Sequence, residues 1–209
     1  MVSAVDDGVG HVLGALKEKG LDENTIVVFL SDNGGAHNNA ADNGPLRGSK
    51  GDLFEGGIRV PFAMRWKGTI PEGNSYKKPI SSLDIMATIV AQSNVKIDPN
   101  RPLDGVNLIP FLTGAEIGAP HDYLFWRKWE QNAMAIRHGN YKLVANKQKQ
   151  KASPNLYNLS KDKNERIEIG FEKKKISKQL HEKWEQWKSE MKDRVLPTLG
   201  QEEWWTEKE

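Results

Sequence analysis

The chain alternates between apolar stretches of helical period, apolar stretches without period, and long polar segments. Val5, Val9, Val12, Leu13 and Leu16 recur at three- and four-residue steps, which predicts an amphipathic helix with one apolar face. Gly20 stands where a C-terminal cap is expected. Gly8, Gly10 and Gly14 lower helix propensity and would let the helix lie close against a sheet. After a short link, Thr25-Ile26-Val27-Val28-Phe29-Leu30 is apolar without alternation and rich in β-branched residues. That is the pattern of a strand buried on both faces, as in a parallel sheet packed between helices. The one further candidate for such a sheet is Val60–Trp66, and Pro61 places it at a strand start or an edge. The predicted sheet is therefore incomplete.

Between these strands runs a polar, glycine-rich stretch, Ser31 to Gly57, whose length suits a compact fold only if it is functional. Ser81 or Ser82 would cap a helix carrying Leu83, Met86, Ile89 and Val90 on one side. Asn94 to Pro110, with three prolines, reads as a surface loop. From about His121 the pattern changes to short strands at Tyr123–Trp126, Ala133–Arg137, Tyr141–Val144 and Asn155–Leu159, with a turn at His138-Gly139-Asn140. This predicts an antiparallel meander. Ile176, Leu180, Trp184, Trp187 and Met191 then follow helical spacing within a helix of about residues 172–193. The expected class is α/β. Residues 1–120 would supply the later part of a central sheet with flanking helices, and residues 121–209 a small antiparallel sheet covered by a helix. Trp204 and Trp205 carry no usable periodicity.

Composition narrows the chemistry. Thirty Lys and Arg against 28 Asp and Glu leave a formal charge of +2, which gives no general polyanion binder, so any anion site must be local. In the Lys- and Trp-rich last helix the aromatics share the apolar stripe, which fits docking on the sheet and not a nucleic-acid surface. With no cysteine, disulfides, thiolate zinc sites, Fe–S clusters and cysteine nucleophiles are excluded for this chain. No apolar run is long enough to span a membrane, and the first residues lack the pattern of a signal peptide. Neither nucleic acid nor membrane is expected as a partner.

The informative stretch is Ser31-Asp32-Asn33-Gly34-Gly35, followed by Leu46 to Pro61. In α/β sheets ligands collect at the carboxyl ends of strands. Asp32 offers a carboxylate and Asn33 an amide oxygen, hard donors suited to Ca²⁺ or Mg²⁺. Asp-Asn-Gly-Gly equally suits a plain strand-ending turn. Lys50 stands among Gly48, Gly51, Gly56 and Gly57, and an ammonium in a glycine-rich loop beside a divalent cation forms a pocket for a tetrahedral oxyanion. A solvated loop lysine is the alternative. His37, between them, would reach a substrate or sit hydrogen-bonded in the loop. Arg47 would meet an acidic sugar or solvent. His11, His121, His138 and His181 are left structural.

Together these segments resemble the sulfatase family of the alkaline-phosphatase superfamily. The resemblance rests on the ordered series Val5–Gly10, Asn24–Gly35, Gly48–Gly51, Glu55–Pro61, Leu83-Asp84-Ile85, Leu103–Val106 and Leu156–Leu159, and is closest to the carboxyl-terminal half of a sulfatase. It implies a sulfatase-type central sheet and hydrolysis of a sulfate monoester, on an aryl or carbohydrate group. It also implies Asp32 and Asn33 as the two late ligands of an active-site calcium, and Lys50 as the lysine that grips the sulfate. Glu55, Gly56 and Gly57 match a family signature and are assigned to loop architecture.

The departures from the family matter as much. Its early pair of acidic calcium ligands is not found here. Nor is the Cys/Ser-x-Pro-x-Arg context in which the nucleophile becomes formylglycine, expected only in a missing N-terminal part. Calcium takes ~6–8 oxygens, more than Asp32 and Asn33 supply. The chain is accordingly expected to be a fragment or truncated product, inactive alone. Two alternatives stay open: a phosphodiester or phosphonate monoester hydrolase of the same superfamily, and a non-catalytic anion- or glycan-binding remnant. The resemblance implies a periplasmic or secreted location.

Overall fold

The structure, a computed structural model, describes residues 1–93, 95–129, 132–145 and 154–192. In chain order its elements are α1 (Val2–Glu18), β1 (Val27–Leu30), α2 (Glu55–Ile58), β2 (Phe62–Arg65), α3 (Leu83–Gln92), α4 (Ile109–Thr113), β3 (Tyr123–Lys128), β4 (Ala133–His138), β5 (Tyr141–Ala145), β6 (Asn155–Asn158) and α5 (Lys174–Ser189). Single 3₁₀ turns lie at Asp22–Asn24 and His37–Asn39. Contacts divide the chain into two compact units. One is Met1–Ser31 with Pro61–Asp122, and the other is Asp32–Val60 with the chain from Tyr123 onward. Among the described residues no helix is long and apolar enough to cross a membrane. Trp204, Trp205, Asn94, Glu130 and Asp193 lie outside the described residues.

In the first unit, α1 forms where the periodicity places it. It closes on Gly20 at φ 66°, with Gly20 N–H donating to Lys17 O and Leu21 N–H to Leu16 O, the paired bonds that cap helices ending in a left-handed glycine. Its apolar face is uncovered, Val5 and Val12 being 53% and 57% exposed. A side chain at Gly8, Gly10 or Gly14 would meet nothing within 4 Å, so these glycines make no close approach to a sheet among the described residues.

The strand at 27–30 is present, but its expected parallel setting is corrected. β1 pairs antiparallel with β2, Val27 opposite Arg65 and Leu30 opposite Phe62. A parallel partner needs a crossover that lays an element of a dozen or more residues along the sheet. The connection from β1 to β2 contains only the four-residue α2. Nor is β1 covered on both faces, since Phe29 is 45% exposed. The turn at 22–24 is pinned to the end of β2, because Asp22 Oδ1 accepts from Arg65 at 2.6 Å and Trp66 Nε1 donates to Glu23 O at 3.1 Å.

The helix predicted after Ser81/Ser82 also exists, but it buries its polar side. Leu83, Met86 and Ile89 are exposed, while Asp84, Ala87 and Thr88 are buried. The reason is hydrogen bonding. Asp84 accepts from the backbone N–H of Ser81 at 2.7 Å and of Val106 at 2.9 Å, and Thr88 Oγ1 accepts from Leu108 N at 2.9 Å. His121 Nε2 lies 2.8 Å from the same carboxylate. The proline-rich loop therefore docks on these acceptors, since buried polar groups require partners.

In the second unit the predicted meander forms as a four-stranded antiparallel sheet in the order β3-β4-β5-β6, with Trp126 opposite Ala135, Ala135 opposite Val144 and Leu143 opposite Leu156. Strand alternation sorts the side chains into two layers. Ala133, Ala135, Val144 and Tyr157 pack with Leu53 and Phe54 on one face. Met134, Ile136, Leu143 and Leu156 pack with Leu180 and Trp184 of α5 on the other. Full burial of each Leu or Ile contributes about 1.5–3 kcal/mol. Trp184 Nε1 donates to Trp126 O at 3.1 Å and Trp187 stacks on Phe125 at 4.9 Å, which orients α5. Met191 lies past its end and is exposed.

Candidate anion and cation site in the glycine-rich segment

The segment 47–58 lies on the inner face of the C-terminal sheet. Leu53 and Phe54 enter the core there, and Lys128 Nζ of β3 donates to Gly51 O at 3.0 Å. At its start, Arg47 places its guanidinium 3.9 Å from the centre of the Phe54 ring. It donates to Tyr157 OH at 3.2 Å and to Glu165 O at 2.8 Å. Arg47 thus meets neither a sugar nor bulk solvent alone; it fastens the segment to the sheet.

At the other end Glu55 is fastened by charge. Lys142 Nζ lies 2.9 Å from Glu55 Oε1 and 2.8 Å from Glu165 Oε1. Glu55 N–H donates to Glu165 Oε2 at 2.6 Å. Lys142 and Glu165 are fully buried and Glu55 nearly so, with Arg59 and Arg137 at 3.7 and 3.8 Å from Glu55 Oε2. Burial holds the Glu165 carboxyl above the ordinary carboxylate range, against the opposing pull of Lys142. Burial likewise lowers Arg137 from its usual value, with Glu55 opposing. Lys50 therefore sits in a stretch anchored on both sides.

The glycines of the signature are required by close backbone approach. Gly34 N–H donates to Gly57 O at 3.0 Å and Gly56 N–H to Arg47 O at 2.6 Å. A Cβ at Gly34 would collide with Gly56 O, and one at Gly56 with Gly48 O and Arg47 O. Gly51, directly after Lys50, has φ 90°, which a side chain would strain.

These approaches set the predicted site residues side by side along the backbone. Lys50 N–H donates to Gly35 O at 3.1 Å, which brings the lysine loop onto the Asp32–Gly35 loop. The Lys50 side chain is exposed and makes no ion pair among the described residues. Asp32 is exposed and Asn33 half-buried, and Asn33 Nδ2 donates to Asp32 Oδ2 at 2.6 Å. His37 is exposed at the head of its 3₁₀ turn. As cation ligands, Asp32 and Asn33 fit a hard ion in kind, being oxygen donors on an open loop. They do not fit it in number, and among the described residues no group of three or more His, Asp or Glu is arranged to hold a metal.

Sequence reasoning missed Lys142, Glu165 and Lys128. The one available signal was Lys142 itself, a lysine at an inward position of a strand whose neighbours Leu143 and Val144 are core residues.

Comparison with known proteins agrees with this layout. Residues 1–95 match the family described as Sulfatase, and residues 49–190 match the family described as N-sulphoglucosamine sulphohydrolase, C-terminal. The chain is 39% identical over 126 residues to the uncharacterized sulfatase YdeN of Escherichia coli K12, covering 60% of this chain and 22% of that protein. It is 36% identical over 133 residues to the steryl-sulfatase of Rattus norvegicus, covering 59% of this chain and 23% of the relative. Among solved structures, Ps i-CgsB in complex with k-i-k-neocarrahexaose superposes with a TM-score of 0.80 at 34% identity, over 90% of this chain and 41% of that one. The matches thus span under a quarter of these two curated relatives. The chain belongs to the sulfatase family.

Proposed function

We propose that residues 32–50 form the cation- and sulfate-binding part of a sulfate monoester hydrolase. Lys50 would touch the sulfate, and Asp32 and Asn33 would be two of the ligands of a Ca²⁺, Mg²⁺ being the alternative ion. The observation that carries this is the Lys50 N–H to Gly35 O bond of 3.1 Å, which joins the loop of hard oxygen donors to the loop of the exposed ammonium. Of aryl and carbohydrate sulfates, the carbohydrate is favoured by the likeness to Ps i-CgsB, solved with k-i-k-neocarrahexaose.

Each residue has a distinct task in this reading. The Lys50 ammonium attracts the sulfate and offsets the negative charge that grows as the ester bond breaks. His37 lies on the same stretch, between the donors and the lysine, and supplies a second contact to the substrate. A calcium ion, when bound, would polarise the sulfate oxygens. A nucleophile of the family type is not among these residues, because the sequence has no cysteine and no Ser-x-Pro-x-Arg. The 209-residue chain by itself therefore binds sulfate without turning over a sulfate ester.

The test is a sulfate titration with calcium present, followed by NMR, on the wild-type chain and on Lys50→Ala. A loss of roughly tenfold or more in affinity for Lys50→Ala is expected, the scale of one charged contact. Equal affinity of the two proteins would overturn the assignment of Lys50. Release of sulfate from a chromogenic aryl sulfate by the chain, abolished in Lys50→Ala, would overturn the claim that it does not turn over. Calcium-dependent binding of a sulfated sugar without hydrolysis by any longer form would favour a purely binding role, to which the short donor set also points.

A further inference from the structure

We propose that Asn43 is a positioning residue whose carboxamide locks the Asp32–Asn33 loop to the Lys50 loop, so that a cation on the first and an anion on the second bind as a coupled pair. The inference rests on the functional reading of those three residues given above. Gly35 N–H donates to Asn43 Oδ1 at 2.7 Å, and Asn43 Nδ2 donates to Gly35 O at 3.1 Å and to Gly48 O at 3.0 Å. The side chain thereby pairs with both backbone groups of Gly35, as a residue on a neighbouring strand would. Its second N–H goes to Gly48, two residues before Lys50. A carboxamide has two N–H donors and one oxygen, and here each is engaged. Both loops are held by one planar group.

Three features make asparagine the residue for this place. Reversing the amide would set its oxygen against two carbonyl oxygens and its N–H against the N–H of Gly35, so the orientation is fixed. An aspartate would keep the bond from Gly35 N but turn a charged oxygen on the Gly35 and Gly48 carbonyls. At Gly35 a Cβ would run into Ala41 Cβ, so the two strands of the loop are already as close as a glycine permits. Asn43 lies outside both hydrophobic clusters of this unit. Its replacement therefore acts on the spacing of the loops and leaves the cores intact.

Two sites on elements held in one arrangement share a coupling free energy, and each ligand then tightens the other by the same factor. The clip is the part of the structure that supplies that arrangement, together with the Lys50 N–H bond to the same Gly35 carbonyl.

The experiment measures sodium sulfate affinity by NMR, with and without calcium chloride, for the wild-type chain, Asn43→Asp, Asn43→Ala and Lys50→Ala, with urea unfolding and amide exchange on each. In the wild type, calcium should tighten sulfate by roughly fivefold or more, the lower end of ordinary coupling. In both Asn43 variants that ratio should fall toward one and the Gly35 amide should exchange faster, while the urea midpoint stays at the wild-type value. The alanine variant controls for the new carboxylate and stands in if the aspartate variant does not fold. An unchanged ratio overturns the proposal, as does a lost ratio accompanied by a matching fall in the urea midpoint, which would make Asn43 merely structural. Sulfate binding that depends on Lys50 but ignores calcium in the wild type sinks the clip and leaves the sulfate site standing. No sulfate binding in any condition sinks both.

Discussion

Lys142 Nζ and Glu55 Oε1 lie 2.9 Å apart across 87 residues of sequence, with Glu165 closing the triangle at 2.8 Å from the same ammonium. An ionic group this deep is costly to desolvate, and its attraction only roughly repays that cost. Removing one member is a different matter, because it leaves the others buried and unmatched. Lys142→Met would leave the Glu55 and Glu165 carboxylates facing each other. It should destabilise the chain by about 3–5 kcal/mol. Lys178→Ala, which removes an exposed pair with Glu182, should cost about 0–1 kcal/mol. Urea unfolding of the two variants checks the contrast, and equal losses would show that the triangle is not the anchor of the Lys50 segment.

Two carboxylates should give stability opposite dependences on pH. Hydrogen bonds from Arg65 and then from Lys67 hold Asp22 below the ordinary carboxylate range. Its contribution is present above its unfolded pKa of about 4 and is lost as pH falls through the lower folded value. Glu165 is held above that range, chiefly by burial. Its contribution is complete below its unfolded pKa of about 4.3 and is lost as pH rises through the higher folded value. Stability of the wild type relative to Asp22→Asn should therefore shrink on acidification. Relative to Glu165→Gln it should fall as pH rises from about 4.3 toward neutrality. Urea midpoints at a series of pH values test both signs.

What could be read in the sequence, and what could not, follows from the range of the interactions. The meander and α5 were legible because their signals are local: alternation over five residues, a turn at Gly139, and Leu180, Trp184 and Trp187 on one helical stripe. The setting of β1 was not, because an apolar run such as Val27–Leu30 reports what the strand could bury and not which strand pairs with it. The buried side of α3 was misread for a related reason. Leu83, Met86 and Ile89 announce an apolar stripe, but Asp84 and Thr88 are buried by N–H groups of Val106 and Leu108, some twenty residues on. In the candidate site, Asp32, Asn33, His37 and Lys50 stood out because glycines flank them on one stretch of chain. Lys142 and Glu165 did not, because their partner Glu55 is distant in sequence. Asn43 was hidden by its ordinary surroundings, a polar loop in which any asparagine passes for a turn residue.

The glycines offer the sharpest contrast of sign. Gly8 lies in the exposed interior of α1, and a methyl group there would meet nothing within 4 Å. Gly8→Ala should stabilise the chain by about 0.5–1 kcal/mol, since alanine gives up less backbone freedom and favours helix. Gly34 has a negative φ, so its conformation alone would accept alanine, but the new methyl would strike Gly56 O and crowd Gly57 Cα, 3.0 Å away. The neighbour is backbone held by its own bond to Arg47 O, so it cannot turn aside as a side chain would. Gly34→Ala should destabilise by about 1–3 kcal/mol, the cost of overpacking, and should push the Asp32–Asn33 loop away from the Lys50 segment. Thermal melts followed by circular dichroism should therefore move in opposite directions for the two substitutions. An alanine at position 34 that melts with the wild type would mean that the two loops are not in contact through Gly34 and Gly57, and the layout of the candidate site would have to be redrawn.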